Sequence, residues 1–256
     1  MSGIPVVDLG GGVEMPMVGF GTWQMKGQRA YDAIGYALRA GYRHIDTATM
    51  YGNEEEVGRA LRDSGLDRRD VFVTTKLPPG QAARARATID SSLRALGTDY
   101  VDLWLVHWPP RRQASTRLWR DFLTIRDEGL CRAAGVSNYD VPQIDELIAA
   151  TGERPAVNQI RWSPSQYDQA LLAAHAERGI ALEGYSSLKG TRLADRVLSE
   201  IAARYEVTPA QVILRWQLEL GITVIPKSVH PDRIESNLDL FGFSLTPEEM
   251  ARLNRL

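Results

Sequence analysis

The sequence predicts an α/β protein in which eight strands alternate with helices and close into a barrel. Short β-like runs alternate with amphipathic helical patterns along the whole chain, which indicates a parallel sheet covered by helices. The length of 256 residues is close to the roughly 250 that one such barrel uses, although two smaller domains would also fit it. An open, doubly wound sheet would usually carry a G-x-G-x-x-G fingerprint after its first strand, and neither this pattern nor a P-loop occurs. We therefore expect the closed barrel.

The first predicted element is a small hairpin that turns at Gly10-Gly11-Gly12. Eight candidate strands follow it along the chain: Met17–Phe20, His44–Thr47, Val71–Lys76, Val101–His107, Ala133–Ser137, Ala156–Ile160, Ala181–Tyr185 and Thr223–Lys227. The segments between them show helical periodicity. Ile89, Leu93 and Leu96, for example, fall at positions i, i+4 and i+7 of one helix face.

The ends of the predicted helices carry recognisable signals. Glycine adopts the left-handed conformation that ends a helix at little cost, and it closes several of these helices at Gly41, Gly97, Gly129, Gly179 and Gly221. Thr208–Gln211 and Thr246–Glu249 each match a capping box with proline at the first helical position. The second box predicts a terminal helix after the eighth strand and its own helix. No linker divides the chain, so we expect residues 1–256 to form one (β/α)8 TIM barrel with an N-terminal hairpin and a C-terminal extra helix.

Composition excludes several classes of function. The formal net charge is −2, so no field of one sign points to nucleic acid or to an anionic membrane. The single cysteine allows no internal disulfide and fits a reducing compartment. The start of the chain lacks the pattern of a signal peptide, and the most apolar stretch, YVDLWLV, is too short to span a bilayer. The four histidines show no metal-ligand spacing. We therefore expect a cytoplasmic protein without a metal.

Polar side chains stand where a barrel carries out its chemistry, at the C-terminal ends of the strands. Seven of the eight candidate strands run into a polar or ionisable residue at that end: Asp46, Lys76, His107, Ser137, Gln159, Tyr185 and Lys227. Each has an ordinary structural explanation on its own, such as a turn aspartate, a lysine at a strand end or a core histidine. Because all of them converge on one rim, we expect an active site there.

Several motifs in this rim resemble the aldo-keto reductase family. The segment His44–Glu54, HIDTATMYGNE, is similar to the family's DTA-x-x-YGNE signature. Further matches follow in the family's order at Thr74–Leu77, Leu105–Pro109, Gly135–Asn138, Asn158–Gln159, Tyr185–Ser186 and Ile225–Ser228. The resemblance covers nearly the whole chain, from Gly19 to Asn237. It implies an NADPH-dependent oxidoreductase that reduces the carbonyl of small aldehydes and ketones, and we expect it to be a monomer.

The resemblance also assigns catalytic roles. Tyr51 would deliver the proton to the carbonyl oxygen, acting as general acid in reduction and as general base in alcohol oxidation. A free tyrosine titrates near 10, so a neighbouring Lys76 ammonium would stabilise its phenolate, with Asp46 holding that lysine and balancing its charge. His107 would orient the carbonyl and stabilise the charge that develops on its oxygen.

The residues implied for the nicotinamide end of the cofactor lie on the later strands. Tyr185 resembles the tyrosine that stacks on the nicotinamide ring. Ser137, Asn138 and Gln159 resemble the three residues that hydrogen-bond its carboxamide and so fix which face meets the substrate.

Other implied cofactor contacts lie towards the phosphates. Residues near the nicotinamide riboside and along the pyrophosphate are Gly21, Thr22, Ser186 and Leu188. Lys227, Ser228 and Arg233 resemble a clamp on the adenosine 2′-phosphate, where cationic donors suit a dianion. Asn237 matches a residue that faces the adenine.

Three features depart from the family pattern near the cofactor. Ser236 stands where a glutamate usually contacts the adenine. His230 takes a place often filled by a small polar or basic residue beside the 2′-phosphate. Ser187 and Lys189 replace the common proline and glycine after the stacking tyrosine, which affects the expected pyrophosphate contacts.

The substrate pocket is implied by four residues. Trp23 and Trp108 match positions that wall the pocket, and Tyr51 and His107 face the same space. Large aromatic walls suit apolar or mixed carbonyl substrates. The segment after Trp108 is short compared with many relatives, and the chain ends within the terminal helix. We therefore expect an open pocket that accepts a range of small aldehydes and activated ketones.

Two alternatives use the same barrel. A Schiff-base aldolase would use Lys76 as a nucleophile, which needs a neutral lysine, whereas an adjacent Asp46 would keep it charged. An aldolase mechanism also assigns no role to Lys227 and Arg233. A non-catalytic module that binds NADPH as a redox sensor would not need Tyr51 and its neighbours intact.

Overall fold

The computed structural model describes residues 3–189 and 191–256. It begins with the expected hairpin, in which β1 (Val6–Asp8) pairs antiparallel with β2 (Glu14–Pro16). All three glycines of the turn have positive φ, at 88°, 61° and 75°, a conformation that side chains with a Cβ adopt only with strain. Apolar residues of the hairpin, including Met15, pack with the first residues of the barrel strands. The hairpin therefore covers the N-terminal end of the barrel.

Eight parallel strands form the barrel, each paired with its neighbour in the sequence: β3 (Phe20–Gly21), β4 (His44–Asp46), β5 (Phe72–Leu77), β6 (Val101–Val106), β7 (Cys131–Ser137), β8 (Val157–Arg161), β9 (Ala181–Tyr185) and β10 (Thr223–Val224). The ring closes between its first and last members. Val18 bridges to Val224, with the Gly19 amide donating to the Val224 carbonyl at 2.8 Å and the Val224 amide donating to the Met17 carbonyl at 2.9 Å. The predicted closed barrel is confirmed.

Helices cover the outside of the barrel: α1 (Gly27–Ala40), α2 (Glu54–Asp63), α3 (Ala85–Leu96), α4 (Thr116–Asp127), α5 (Val141–Thr151), α6 (Gln169–Glu177), α7 (Arg196–Tyr205), α8 (Pro209–Glu219), α9 (Pro231–Leu238) and α10 (Pro247–Leu253). The capping boxes at Thr208 and Thr246 are present as predicted, and α10 is the expected terminal helix. Asp140 forms a further capping box with Gln143. Within the described ranges, none of these helices has both the length and the apolar character of a membrane span.

Two predicted strand boundaries were wrong by three residues, and the others lie within two residues of the observed ends. The last strand was predicted as Thr223–Lys227 but ends at Val224. Pro226 lacks the backbone N–H that a strand ladder needs, so regular pairing stops before it, although its carbonyl still accepts a hydrogen bond from the Gly21 amide at 3.1 Å. The first strand was predicted as Met17–Phe20, but regular pairing with β4 begins only at Phe20.

The interior of the barrel is polar in the half below the C-terminal rim. Successive side chains of a strand point to opposite faces, so residues two apart share the inside. The inward-facing polar residues are all at most 2% exposed: His44, Asp46, Thr74, Lys76, Gln159 and Glu183. The apolar core lies instead between the strands and the surrounding helices. Most buried polar groups in proteins are hydrogen-bonded, so these side chains are expected to pair largely with one another inside the barrel.

Replacement of two helical glycines by alanine is expected to change the stability of the fold in opposite directions. Gly58 in α2 packs against the end of α3, where an added Cβ would lie 2.4 Å from the Leu96 carbonyl oxygen. Because that atom is backbone, we expect Gly58→Ala to destabilise the fold by about 1–3 kcal/mol. An added Cβ at Gly35 in α1 meets only the flexible end of Arg39, at 3.4 Å. Gly35→Ala should therefore stabilise by about 0.5–1 kcal/mol. Urea unfolding of both variants checks this, and effects of the same sign would contradict the packing argument.

Candidate active site

A cavity of about 460 Å³ opens at the C-terminal rim of the barrel. Most of the residues that the sequence predicted for the site line it: Gly21, Trp23, Asp46, Tyr51, His107, Trp108, Ser137, Asn138, Gln159, Tyr185, Ser186, Leu188 and Lys227. Met50, Ile225 and Pro226 also line it, and these were not predicted. The cavity therefore brings residues from most of the barrel strands and their loops to one place.

The other predicted residues lie around this cavity. Lys76 is fully buried beneath it. Thr22 is buried too, and its hydroxyl donates to the Asp46 carbonyl at 3.0 Å instead of facing the cavity. Ser228 and Asn237 are buried, and Arg233 is exposed, on the segment that leads from β10 through α9. The predicted phosphate and adenine contacts thus continue outward from Lys227.

Lys76 is the centre of a cluster of buried polar side chains at the base of the cavity. Its Nζ donates to both carboxylate oxygens of Asp46 at 2.7 Å and to the Thr47 carbonyl at 2.8 Å. The same nitrogen lies 3.5 Å from the Tyr51 hydroxyl. Burial would lower the pKa of Lys76, but its neighbours, with the Asp46 carboxylate first among them, together outweigh burial, so the pKa is raised above its usual value. Lys76 is therefore an ammonium at neutral pH.

The Tyr51 hydroxyl lies beside this ammonium. Burial raises the pKa of Tyr51, and the Lys76 charge opposes that rise without reversing it. The Tyr51 ring contacts the His107 ring edge to face, with centroids 5.8 Å apart. Tyr51 consequently carries its proton at neutral pH and presents it to the cavity.

His107 is uncharged at neutral pH. Burial, followed by the nearby Lys76 charge, lowers the pKa of His107 to about 3. Its Nδ1 is buried and has no hydrogen-bond partner among the residues that the structure describes. A neutral imidazole has one N–H to donate, so His107 can offer a hydrogen bond to a small molecule without adding a charge.

The three residues predicted for the carboxamide are adjacent, and they hydrogen-bond to one another and to neighbouring protein groups. The Asn138 amide nitrogen donates to Ser137 Oγ at 2.9 Å and to the His107 carbonyl at 3.1 Å, and its oxygen accepts from the Tyr185 hydroxyl at 2.7 Å. Ser137 Oγ donates to the Gln159 carbonyl at 2.8 Å. Asn138 has a φ of 63°, a strained conformation of the kind that clusters at functional sites.

Glu183 is part of the cluster of buried polar side chains around Lys76. It was not predicted from the sequence as a site residue. It lies two residues before Tyr185 on β9, with its side chain fully buried inside the barrel. The Gln159 amide nitrogen donates to Glu183 Oε2 at 2.7 Å and to Asp46 Oδ2 at 2.8 Å. A single glutamate within the apolar run of a buried strand was the available signal, because an acidic residue there requires a partner.

The mouth of the cavity is formed by two tryptophans and a lysine. Trp23 and Trp108 are 45% and 47% exposed, which is high for such large apolar side chains. The Lys189 Nζ lies 5.4 Å from the centre of the Trp23 ring, within the range of a cation–π contact. Lys189, which departs from the family pattern after the stacking tyrosine, therefore lies beside Trp23 at the cavity.

Comparison with known proteins gives consistent matches. The model of the aldo/keto reductase family matches residues 17–256. The 2,5-diketo-D-gluconic acid reductase B of Corynebacterium sp. (strain SHS752001) is 42% identical over 100% of this chain and 94% of its own. Methylglyoxal reductase DkgA of Yersinia pestis is 40% identical over 98% of this chain and 92% of its own. The crystal structure of a Bombyx mori aldo-keto reductase in complex with NADP has a TM-score of 0.92 at 34% identity, covering 100% of this chain and 93% of that one.

Proposed function

Because the chain belongs to the aldo/keto reductase family, we propose that it reduces the carbonyl group of small aldehydes and ketones with NADPH, with Tyr51 as the proton donor. The observation that carries the proposal is the contact between Tyr51 and the Asp46–Lys76 ion pair at the base of the cavity. NADPH consumption across a panel of aldehydes, ketones and keto acids tests it. No turnover with any of them would contradict it.

The described residues fit a nicotinamide cofactor at Gln159, and Gly21 keeps the neighbouring wall of the cavity in its present shape. The Gln159 amide nitrogen is used by two carboxylates, so its oxygen is the group left to accept a hydrogen bond from a carboxamide N–H. At Gly21 a Cβ would lie 2.7 Å from the Ile225 carbonyl oxygen, so only glycine leaves the cavity wall its present shape. When bound, NADPH supplies the hydride that reaches the carbonyl carbon. Tyr185, Ser137 and the residues around them would hold its nicotinamide end.

The chain's own residues account for the transfer of a proton to the carbonyl oxygen. His107, neutral and with a hydrogen bond to give, orients the carbonyl oxygen and stabilises the charge that develops on it. Tyr51 transfers its hydroxyl proton to that oxygen. The Lys76 ammonium stabilises the phenolate that remains, and Asp46 keeps Lys76 both placed and charged. In alcohol oxidation the same groups act in the reverse order.

The anionic part of the cofactor would meet cations farther along the cavity. Lys227 and Arg233 are both exposed, and their side chains make no salt bridge with any of the described residues. With Ser228 they suit the 2′-phosphate of NADPH. Thr22, Ser186 and Leu188 would follow the riboside and the pyrophosphate, and Asn237 would face the adenine.

The aldolase alternative is disfavoured by the charge of Lys76. A Schiff base requires a neutral amine, whereas Asp46 raises the pKa of Lys76 above its usual value. Borohydride should therefore trap no substrate adduct on this chain. The non-catalytic alternative, an NADPH-binding sensor, is separated from the reductase by the same turnover panel.

We expect modest discrimination among small substrates. The cavity mouth is lined by Trp23 and Trp108, both about half exposed, and an open site leaves few contacts that can favour one side chain over another. One methylene changes specificity by only about 1–3 kcal/mol even in an enclosed pocket. A nitrobenzaldehyde and a vicinal diketone should be reduced with higher kcat/KM than an aldose, because flat compounds stack on the tryptophans. A single bulky substrate that outpaced all others by orders of magnitude would contradict this.

The proposal extends to the whole chain. We propose that residues 1–256 act as one catalytic domain, that the enzyme is a monomer and that it acts in the cytoplasm. The reducing conditions of that compartment suit its one cysteine, which is buried.

A further inference from the structure

Glu183 is a fully buried acid for which the proposed reaction has no use. Its neighbours come from four strands: Gln159 and Thr223 are its register partners on β8 and β10, and His44, Asp46 and Lys76 approach across the barrel from β4 and β5. Tyr51 lies close enough for a Glu183 charge to raise its pKa. An ionised Glu183 would therefore act directly on the charges of the candidate active site.

The hydrogen bonds of Glu183 fix the orientation of Gln159. Gln159 Nε2 donates one hydrogen to Asp46 Oδ2 at 2.8 Å and the other to Glu183 Oε2 at 2.7 Å. An amide group has two N–H donors, and both are used. The side chain cannot then turn its nitrogen towards the cavity that it lines, and its oxygen is the atom left for a ligand.

The histidine beside Glu183 indicates which form of the acid is present. His44 Nδ1 lies 3.2 Å from the Pro16 carbonyl oxygen, which can only accept, so Nδ1 carries a hydrogen. Burial lowers the pKa of His44 to about 4, so the ring is neutral and its Nε2 has a free lone pair. That nitrogen accepts from Thr74 at 3.1 Å and faces Glu183 Oε1 at 3.6 Å.

The His44 lone pair would repel a carboxylate oxygen at this position, whereas it would attract the hydroxyl of a carboxylic acid. Glu183 Oε1 has no hydrogen-bond partner within residues 3–189 and 191–256, so a proton on it is free to point at the His44 nitrogen that it faces. Burial first, and then the Asp46 carboxylate, raise the pKa of Glu183 to about 8. The His44 lone pair and the burial of Glu183 therefore both favour the neutral acid.

We propose that protonated Glu183 is a positioning residue, which holds the Gln159 amide with its oxygen towards the cavity and leaves the Lys76 ammonium paired with the Asp46 carboxylate. Loss of the Glu183 proton would place a second negative charge beside Lys76. That charge would raise the pKa of Tyr51 further and make its phenolate harder to form. The part of this proposal that concerns cofactor and turnover rests on the proposed function, whereas the protonation of Glu183 does not.

Glu183→Gln and Glu183→Ala test the proposal together. Glutamine reproduces the neutral acid, since its oxygen accepts from Gln159 and its nitrogen donates towards His44. Alanine removes both contacts. Glu54→Gln is a matched control, because Glu54 is also a buried carboxyl whose pKa is raised by burial, but it hydrogen-bonds to Thr75 away from Gln159.

Two readouts use the ligand-free protein. Infrared spectra should show a carboxylic acid carbonyl band that is lost as the pH rises through about 8, persists in Glu54→Gln and is absent in Glu183→Gln. Because the pKa is raised on folding from its usual 4.5 to about 8, the folded state binds this proton more tightly than the unfolded chain. The contribution of Glu183 to stability is then full below pH 4.5 and is lost as the pH rises to 8. The Tm of the natural protein should fall relative to Glu183→Gln across that range.

A third readout concerns the cofactor. At pH 7, Glu183→Ala should bind NADPH about 2–10-fold more weakly, as expected for the loss of one hydrogen bond, and glutamine should restore most of this affinity. In alcohol oxidation, the pH profile of kcat should lose its inflection near 8 in Glu183→Gln. An acid band that is lost near pH 8 and survives in Glu183→Gln, or equal losses of affinity in the glutamine and alanine variants, would overturn the proposal. If the ligand-free readouts hold and no carbonyl compound is turned over, the proposed function fails and the protonation of Glu183 stands.

Discussion

Replacement of Tyr51 by phenylalanine is expected to lower turnover by about 10²–10⁴-fold, the usual contribution of general acid–base catalysis. The substitution removes the hydroxyl that delivers the proton and keeps the ring. The edge-to-face contact with His107 involves only that ring, and the Lys76 Nζ lies a long 3.5 Å from the hydroxyl. Lys76 also keeps its two bonds to Asp46. We therefore expect the fold and the cofactor affinity to be retained.

Tyr185→Phe is the matched control for this experiment. Tyr185 lines the same cavity, and its hydroxyl donates to Asn138 Oδ1 at 2.7 Å, but the proposed reaction takes no proton from it. Its loss should affect the KM for NADPH more than kcat, because the hydrogen bond orders the predicted carboxamide site. Turnover and the Kd of NADPH are measured side by side for both variants. Near-normal turnover in Tyr51→Phe, or the same fall in kcat for both tyrosines, would remove Tyr51 from its proposed role.

The barrel and the position of its candidate site were predictable for a physical reason. Strands of a parallel barrel all point the same way, so the residues at their C-terminal ends must share one rim. Asp46, Lys76 and His107 could therefore be grouped from the sequence, although they lie far apart along the chain. The hairpin turn and the capping boxes are local, and short-range patterns are sufficient to identify them.

The pairing of polar groups inside the barrel could not be predicted in the same way. Gln159 donates to Asp46 from 113 residues away, and the same nitrogen also donates to Glu183. Which of several buried groups pair depends on the strand register and on the direction of each side chain, and no sequence pattern encodes these contacts. The end of β10 was misjudged for a simpler reason, since Pro226 interrupts the ladder within an otherwise strand-like run.

A preference for NADPH over NADH that depends on Arg233 is the second large effect we expect. Arg233 lies exposed on α9, close in sequence to Lys227 and Ser228. A hydrogen bond between charged groups contributes about 1.5–3 kcal/mol. Arg233→Ala should therefore weaken NADPH binding by roughly 10–100-fold.

NADH lacks the 2′-phosphate, so its affinity should change little in Arg233→Ala, and this difference separates recognition from a structural role. Arg94→Ala is the control, since Arg94 is an exposed arginine on α3 whose side chain makes no salt bridge with the described residues. The Kd values of both cofactors are measured at low and high salt. The difference in the Kd of NADPH between the natural protein and Arg233→Ala should become smaller at high salt, because exposed charges are screened. Equal losses for NADPH and NADH would place Arg233 in the packing of α9 and leave the 2′-phosphate to Lys227 and Ser228.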